Sequence, residues 1–296
     1  MNRIEVENLT KDYKNGRGIF GLDFSVGRGE VFGYLGPNGA GKTTTIRCLM
    51  GFIKAGGGSC RINGMDCFEH SRQIHKNVGY LPGEIALIND MTGRQYLKFI
   101  REMKGIKDGR RQKNITDMFE LDDSGKIRKM SKGTKQKVAL AAAFMGQPDI
   151  LVLDEATSGL DPLMQNRFVD LVLEEKKRGR TIFMSSHIFE EVEKTCDRVA
   201  IIKDGRLVSV ENMADLATQK QKSYTVLFKD RRRAAAFAAK APFAVEKVQG
   251  PRVHFYAGQN PGPVLAAVAR AGPVDIEIKS QSLEELFLHF YKEENR

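Results

Sequence analysis

No stretch of this 296-residue chain approaches the roughly 18 consecutive apolar residues that a membrane-spanning helix needs; runs such as VALAAAFMG at 138–146 fall far short. The chain is therefore expected not to cross a bilayer. The first residues, MNRIEVENL, alternate polar and apolar as a strand does. They have neither the basic start nor the apolar centre of a secretory leader, which points to the cytosol. Cysteine is scarce: Cys48, Cys60, Cys67 and Cys196 show no C-x-x-C spacing, which argues against a zinc site and against a disulfide framework. Cys60, Cys67, His70 and His75 do lie close along the chain, but at spacings unlike those of a zinc finger. They read as reduced thiols and ordinary histidines. Positive charge is in excess, with 47 Lys and Arg against 37 Asp and Glu, net +10. That bias favours polyanions, whether nucleotide, nucleic acid or anionic lipid. At this length, with 41% hydrophobic residues, the chain should fold without staples into about two domains.

The most specific stretch is EVFGYLGPNGAGKTTTIRCLMGF at 30–52, an apolar strand, a glycine-rich turn and a helix. The turn and helix start, Gly36, Pro37, Asn38, Gly39, Ala40, Gly41, Lys42, Thr43 and Thr44, form a candidate phosphate cradle. Its glycines let backbone N–H groups converge on phosphate oxygens, and the helix N-terminus adds partial positive charge. Lys42 is placed to reach the β- and γ-phosphates and Thr43 to ligate Mg²⁺, so the chain is expected to bind a nucleoside triphosphate. A second apolar run, DILVLDEATSGLD at 149–161, ends in two carboxylates, the pattern of a buried parallel strand. Asp154 is expected to hold the magnesium, and Glu155 to polarise an attacking water as general base. A third run, RTIFMSSHIFEEVE at 180–193, ends in Ser185, Ser186 and His187. At a strand's C-terminal edge His187 is placed to donate a hydrogen bond to the γ-phosphate.

Together these pieces resemble the ATP-binding subunits of ABC transporters over residues 1 to about 216. Tyr13, in LTKDYKNG, matches the aromatic residue that stacks on adenine. GPNGAGKT matches the Walker A loop, ILVLDE Walker B, SGLD (Ser158 to Asp161) the D-loop, His187 the switch histidine, and MSKGTKQK the signature motif. The resemblance implies an α/β P-loop NTPase fold of the ABC ATPase type, with a mixed sheet core and a helical subdomain at about 85–145. It also implies ATP hydrolysis with Mg²⁺ and a head-to-tail dimer, most simply of two copies of this chain. In that dimer Ser131, Gly133 and Asp161 of one copy reach the ATP held by the other. Ser131 precedes KQKVALAAAFM and looks like a helix N-cap; its hydroxyl, the Gly133 N–H and the helix dipole would face the partner's γ-phosphate. The basic run is then half of a shared site.

Export-type members with small permeases carry similar GYLPGE and SKGMKQK forms. The resemblance therefore implies a separate integral membrane permease as partner and a place in the cytoplasm, peripheral on the inner face of the cell membrane. No nucleic acid is expected. The alternative is a soluble relative acting on ribosomes or nucleic acid, though such proteins usually carry tandem cassettes or a long coiled-coil insertion. A GTPase or small-molecule kinase would leave the signature and D-loop unexplained, and no N-K-x-D guanine motif is present. The family pattern is broken at several positions. Lys132 and Thr134 stand where the signature has glycine and glutamine, and Ala156 replaces a proline. In VGYLPGEIAL, Gly83 occupies the place of a glutamine that serves Mg²⁺ and the attacking water. Either Glu84 or a water fills in, or that loop keeps only a conformational role.

Alternation in IEVENL and SCRINGM predicts short strands within 3–35 and 58–64. In TGRQYLKFIREMKG, Tyr96, Phe99, Ile100 and Met103 fall on one helical stripe, read mostly as a core face, with Thr92 as cap. Ile85, Leu87 and Ile88 are candidate permease contacts. From residue 217 to 296 a smaller α+β unit is expected. SYTVLF, RRRAAAFAAKA, FAVEKVQ, RVHFYAG, PVLAAVARA and VDIEIKS read as β-α-β-β-α-β, a ferredoxin-like sandwich with a hairpin turning at Gly250-Pro251. A last helix, SLEELFLHFYKEE, is expected to start at Ser282. With 13 Lys and Arg against 8 Asp and Glu this unit is the more basic per residue. It lacks the glycine-aromatic signature of an RNA-binding sheet, so it is expected to bracket the ATPase dimer or touch the anionic inner leaflet.

Overall fold

The computed structural model describes residues 2–14, 16–219, 222–257, 260–280 and Glu284. The helix expected from Ser282 lies outside the described residues. The chain divides into two compact units, Met1–Met213 and Ala214–Arg296.

The first unit opens with β1 (Asn2–Asp12), β2 (Gly18–Gly27), β3 (Val31–Leu35) and α1 (Lys42–Leu49), then β4 (Gly57–Ile62), β5 (Met65–Asp66), α2 (Ser71–Asn77) and β6 (Val78–Leu81). Next come α3 (Gly93–Met103), α4 (Arg110–Met118), α5 (Lys132–Phe144) and β7 (Ile150–Asp154). It continues with α6 (Pro162–Lys177), β8 (Thr181–Ser186), α7 (Phe189–Thr195), β9 (Arg198–Lys203) and β10 (Arg206–Asn212). Two sheets form, a six-stranded one ordered β10-β9-β3-β8-β7-β6 and an antiparallel one ordered β2-β1-β4-β5. In the larger sheet all pairs are parallel except β10 with β9. Every residue of β3, β7 and β8 is buried, which is why these strands are written as unbroken apolar runs. Aromatic rings join the sheets: Phe24 of β2 stacks on Phe32 of β3 and Phe183 of β8, with centroids 5.5 and 5.8 Å apart.

Register positions the site. Leu35 pairs with Ser186 and Asp154 with Ser185, so β3, β7 and β8 end level with one another. The residues that follow them therefore emerge at one edge of the sheet, where α/β folds bind ligands.

In the helical segment Thr92 caps α3 as expected. Its hydroxyl accepts from the Gln95 N–H at 3.2 Å while the Gln95 side chain accepts from the Thr92 N–H at 2.9 Å. The core stripe holds only in part, with Tyr96 and Ile100 half-buried. Gly93 and Leu97 face inward, whereas Phe99 is 40% and Met103 64% exposed. The reason is close approach: a Cβ on Gly93 would sit 3.1 Å from Asp123 and Met130, so the helix turns this side to its neighbours. Ile88 is exposed too, while Ile85 and Leu87 are half-buried.

The second unit contains α8 (Met213–Gln219), which bridges the division, then β11 (Lys222–Leu227), α9 (Arg231–Lys240), β12 (Val245–Gln249), β13 (Arg252–Ala257), α10 (Gly262–Arg270) and β14 (Asp275–Ser280). The sheet order β12-β13-β11-β14, antiparallel throughout, is the ferredoxin-like arrangement. Tyr224, Phe228, Phe237, Val253 and Phe255 are central to its core.

Candidate functional site

The loop between β3 and α1 turns on glycine. Gly41 has φ 108, and a Cβ there would lie 2.7 Å from the Ile19 side chain, so no other residue fits this turn without displacement. Lys42 is buried at 4% exposure; its ammonium donates to the Gly36 carbonyl at 2.7 Å and the Pro37 carbonyl at 3.1 Å. The same group lies 3.3 Å from the Glu155 carboxylate. Thr43 is exposed on the first turn of α1 and Thr44 half-buried.

Asp154, the last residue of β7, is fully buried. Its Oδ1 accepts from the Ser185 hydroxyl at 2.5 Å, while Oδ2 has no hydrogen-bond partner among the described residues. A buried carboxylate oxygen without a donor is costly unless a cation meets it. Asp154 together with the open Thr43 hydroxyl is a hard oxygen donor set of the kind Mg²⁺ takes. Gly83 stands directly beside it, since a Cβ on Gly83 would be 3.1 Å from Oδ2. Glu84 is exposed.

Glu155 adopts a left-handed conformation with φ 47, held by its N–H, which donates to the Ser185 carbonyl at 3.2 Å and the Ser185 hydroxyl at 3.1 Å. One serine hydroxyl thus holds the Asp154 carboxylate and the Glu155 backbone, a role the sequence signals only through Ser185 lying near the end of an apolar strand. The Glu155 carboxylate lies between Lys42 and His187, whose Nδ1 is 3.7 Å away. His187 is half exposed, and Tyr13 is 46% exposed with the Lys11 ammonium 5.9 Å from its ring centre.

The turn carrying His187 is braced from beneath. The Ser186 hydroxyl accepts from the Ile188 N–H at 3.0 Å and donates to the Glu191 carboxylate at 2.6 Å. Glu191 is only 6% exposed, and burial raises its pKa against the lowering effect of its Ser186 and Thr157 hydrogen bonds. Sequence reasoning gave Glu191 no role, because nothing in SSHIFEEVE says which glutamate turns inward. A raised folded value means the native state holds a proton that the unfolded chain releases. The resulting stabilisation is full below the unfolded pKa of about 4.3 and is lost as pH rises through the folded value. Glu191→Gln is expected to remove that slope. Urea midpoints of wild type and variant, measured across this pH window, should differ by an amount that changes with pH; a constant difference would contradict the assignment.

Ser131 caps α5, its hydroxyl accepting from the Thr134 N–H at 3.1 Å and lying 2.9 Å from the Thr134 hydroxyl. The two departures in this motif are thus employed locally: Thr134 bonds the cap, and the Lys132 ammonium donates to the Ser158 hydroxyl at 3.0 Å. Gln136, buried at 1%, donates to the Ala156 carbonyl at 2.6 Å. A Cβ on Gly133 would come within 2.7 Å of the Gly159 carbonyl. The N-terminus of α5 is therefore pinned to residues 156–159, just after Glu155. The Asp161 carboxylate caps α6, accepting from the Met164 N–H at 3.0 Å. The four cysteines are all buried and free.

Comparison with known proteins agrees with this geometry. The family model described as ABC transporter matches residues 19–158. The linearmycin resistance ATP-binding protein LnrL of Bacillus subtilis is 33% identical over 221 residues, 73% of this chain and 71% of that protein. The ABC transporter ATP-binding protein YhcH of the same organism is 30% identical over 290 residues, 96% of this chain and 94% of that one. A solved ATP-binding subunit of an ABC transporter superposes with TM-score 0.67 at 30% identity, covering 73% of this chain and 92% of that chain. The dimeric cassette MJ0796 bound to ADP and Pi does so with TM-score 0.65 at 23% identity, covering 71% and 98%.

Proposed function

The chain belongs to the ATP-binding subunits of ABC transporters, and from that premise we propose that two copies close head to tail over two ATP molecules and energise export through a separate membrane permease. The observation that carries this reading is the placement of Glu155 between Lys42 and His187, beside the unpartnered oxygen of Asp154.

The Lys42 ammonium has three protons, directed to two loop carbonyls and to Glu155. A γ-phosphate that takes the third releases Glu155 to accept a proton from water, while His187 donates to the phosphate. The backbone N–H groups of Asn38, Gly39, Gly41 and the start of α1 hold the phosphates, and Tyr13 offers a ring face to adenine. Mg²⁺ would be held by Asp154 and Thr43 and would offset phosphate charge. Gly83 leaves that carboxylate without a side chain from its own loop. Ser131 and Gly133, at the N-terminus of α5, supply the partner's ATP with a hydroxyl and N–H donors, and Asp161 adds to that trans contact. The exposed Ile88, Phe99 and Met103 support a permease contact on the helical segment. No helix among the described residues is long and apolar enough to cross a membrane. We place the chain in the cytoplasm, against the inner face of the membrane, with residues 217–296 as an accessory domain. The linearmycin resistance name of LnrL supports an export role.

Chain purified from native membranes with ATP should bring down an integral membrane protein, identified by mass spectrometry. Recovery of ribosomal or nucleic-acid components in its place would favour the soluble alternative.

A further inference from the structure

The accessory domain carries a groove of about 350 Å³ between α9 and α10. Arg233, Ala236, Phe237 and Lys240 recur at i, i+3, i+4 and i+7 along α9, so they share one face; Ala267 and Arg270 of α10 and its C-cap Ala271 follow at i, i+3 and i+4. Phe237 is buried and Ala267 and Ala271 half-buried, whereas Arg233, Lys240 and Arg270 are exposed. The groove therefore has an apolar interior and a cationic margin. Neither helix contains an acidic residue. Asp230, just before α9, has its carboxylate committed to the helix cap, accepting from the Arg233 N–H at 2.8 Å. Among the described residues no carboxylate forms an ion pair with Arg233, Lys240 or Arg270.

We propose that this groove binds the headgroup of an anionic membrane phospholipid, with the phosphate on Arg233, Lys240 and Arg270 and the adjoining apolar part of the lipid over Ala236, Phe237 and Ala267. Three unpaired cations around one concavity repel one another, and an anion relieves that repulsion. Arginine adds the forked donor geometry that suits phosphate. An apolar interior is wasted on an inorganic ion but matches an amphiphile. Nucleic acid fits less well, because the buried Phe237 offers no open face on which a base could stack. The inference uses residues outside the ATP site and stands or falls separately from the transport reading.

The test is co-sedimentation of the full chain with vesicles of phosphatidylglycerol in phosphatidylcholine, against phosphatidylcholine alone. Wild type should sediment with the anionic vesicles only. Arg270→Glu should lower the bound fraction about tenfold, reversing one cation near a charged surface. Ala236→Trp changes no charge and sits at an exposed position, yet fills the groove, and should lower binding comparably. ATP hydrolysis and the far-UV circular dichroism spectrum should be unchanged in both variants, reporting that both units remain folded. Equal binding to neutral vesicles overturns the proposal, as does an Ala236→Trp variant that binds like wild type, which would mean charge adsorption alone. Full competition by inorganic phosphate would reassign the groove to the free ion. Absence of wild-type binding also overturns it.

Discussion

Glu155→Gln is expected to lower ATP hydrolysis by about 10²- to 10⁴-fold, the usual contribution of a positioned general base. The substitution keeps the shape of the side chain and leaves the backbone bonds to Ser185 in place, so the left-handed turn at φ 47 survives. What is lost is the proton acceptor. ATP affinity should hold or improve, because a neutral amide no longer competes with phosphate for the Lys42 ammonium 3.3 Å away. Phosphate release and a fluorescent ATP analogue measure the two effects separately. Turnover near the wild-type rate would remove Glu155 from the proposed role. Weakened binding with unchanged turnover would make it a structural partner of Lys42.

Ser131→Arg should abolish ATP-driven dimerisation while sparing ATP binding by the single chain. In the Glu155→Gln background, where ATP persists, light scattering with ATP should report a dimer, and adding Ser131→Arg should return it to monomer. Losing the cap costs about 1 kcal/mol, too little to unfold the domain. The larger effect is a bulky side chain obstructing a helix N-terminus proposed to receive the partner's phosphate. Ser131→Ala separates the terms, since it loses the hydroxyl but blocks nothing, and should retain part of the dimer. A monomeric Ser131→Arg chain that hydrolyses ATP at full speed would end the shared-site reading.

The phosphate loop, the paired carboxylates and the serine-serine-histidine turn were legible because a phosphate site needs backbone N–H groups and charge at strand ends, and both are written locally. The alternation that marks the ferredoxin-like unit was equally local. Register was not: nothing in VFGYL or TIFMSS states that Leu35 meets Ser186 or that Asp154 meets Ser185. The double use of the Ser185 hydroxyl and the inward turn of Glu191 depend on that register and stayed hidden with it. Periodicity found a stripe on α3, of which Tyr96 and Ile100 are half-buried while Phe99 and Met103 are exposed. A stripe records where apolar residues lie, while Gly93, with no side chain to count, decides which side approaches its neighbours.

The bonds from Lys132 to Ser158 and from Gln136 to Ala156 tie the N-terminus of α5 to the peptide that leaves the catalytic strand. In the proposed dimer, a change around Glu155 of one copy would be passed through Ala156 and Ser158 to the Ser131 end of α5 that covers the other copy's ATP. On that reading the two ATP sites would not turn over independently. Removing these two bonds should then loosen the coordination of the two sites while leaving each able to bind ATP.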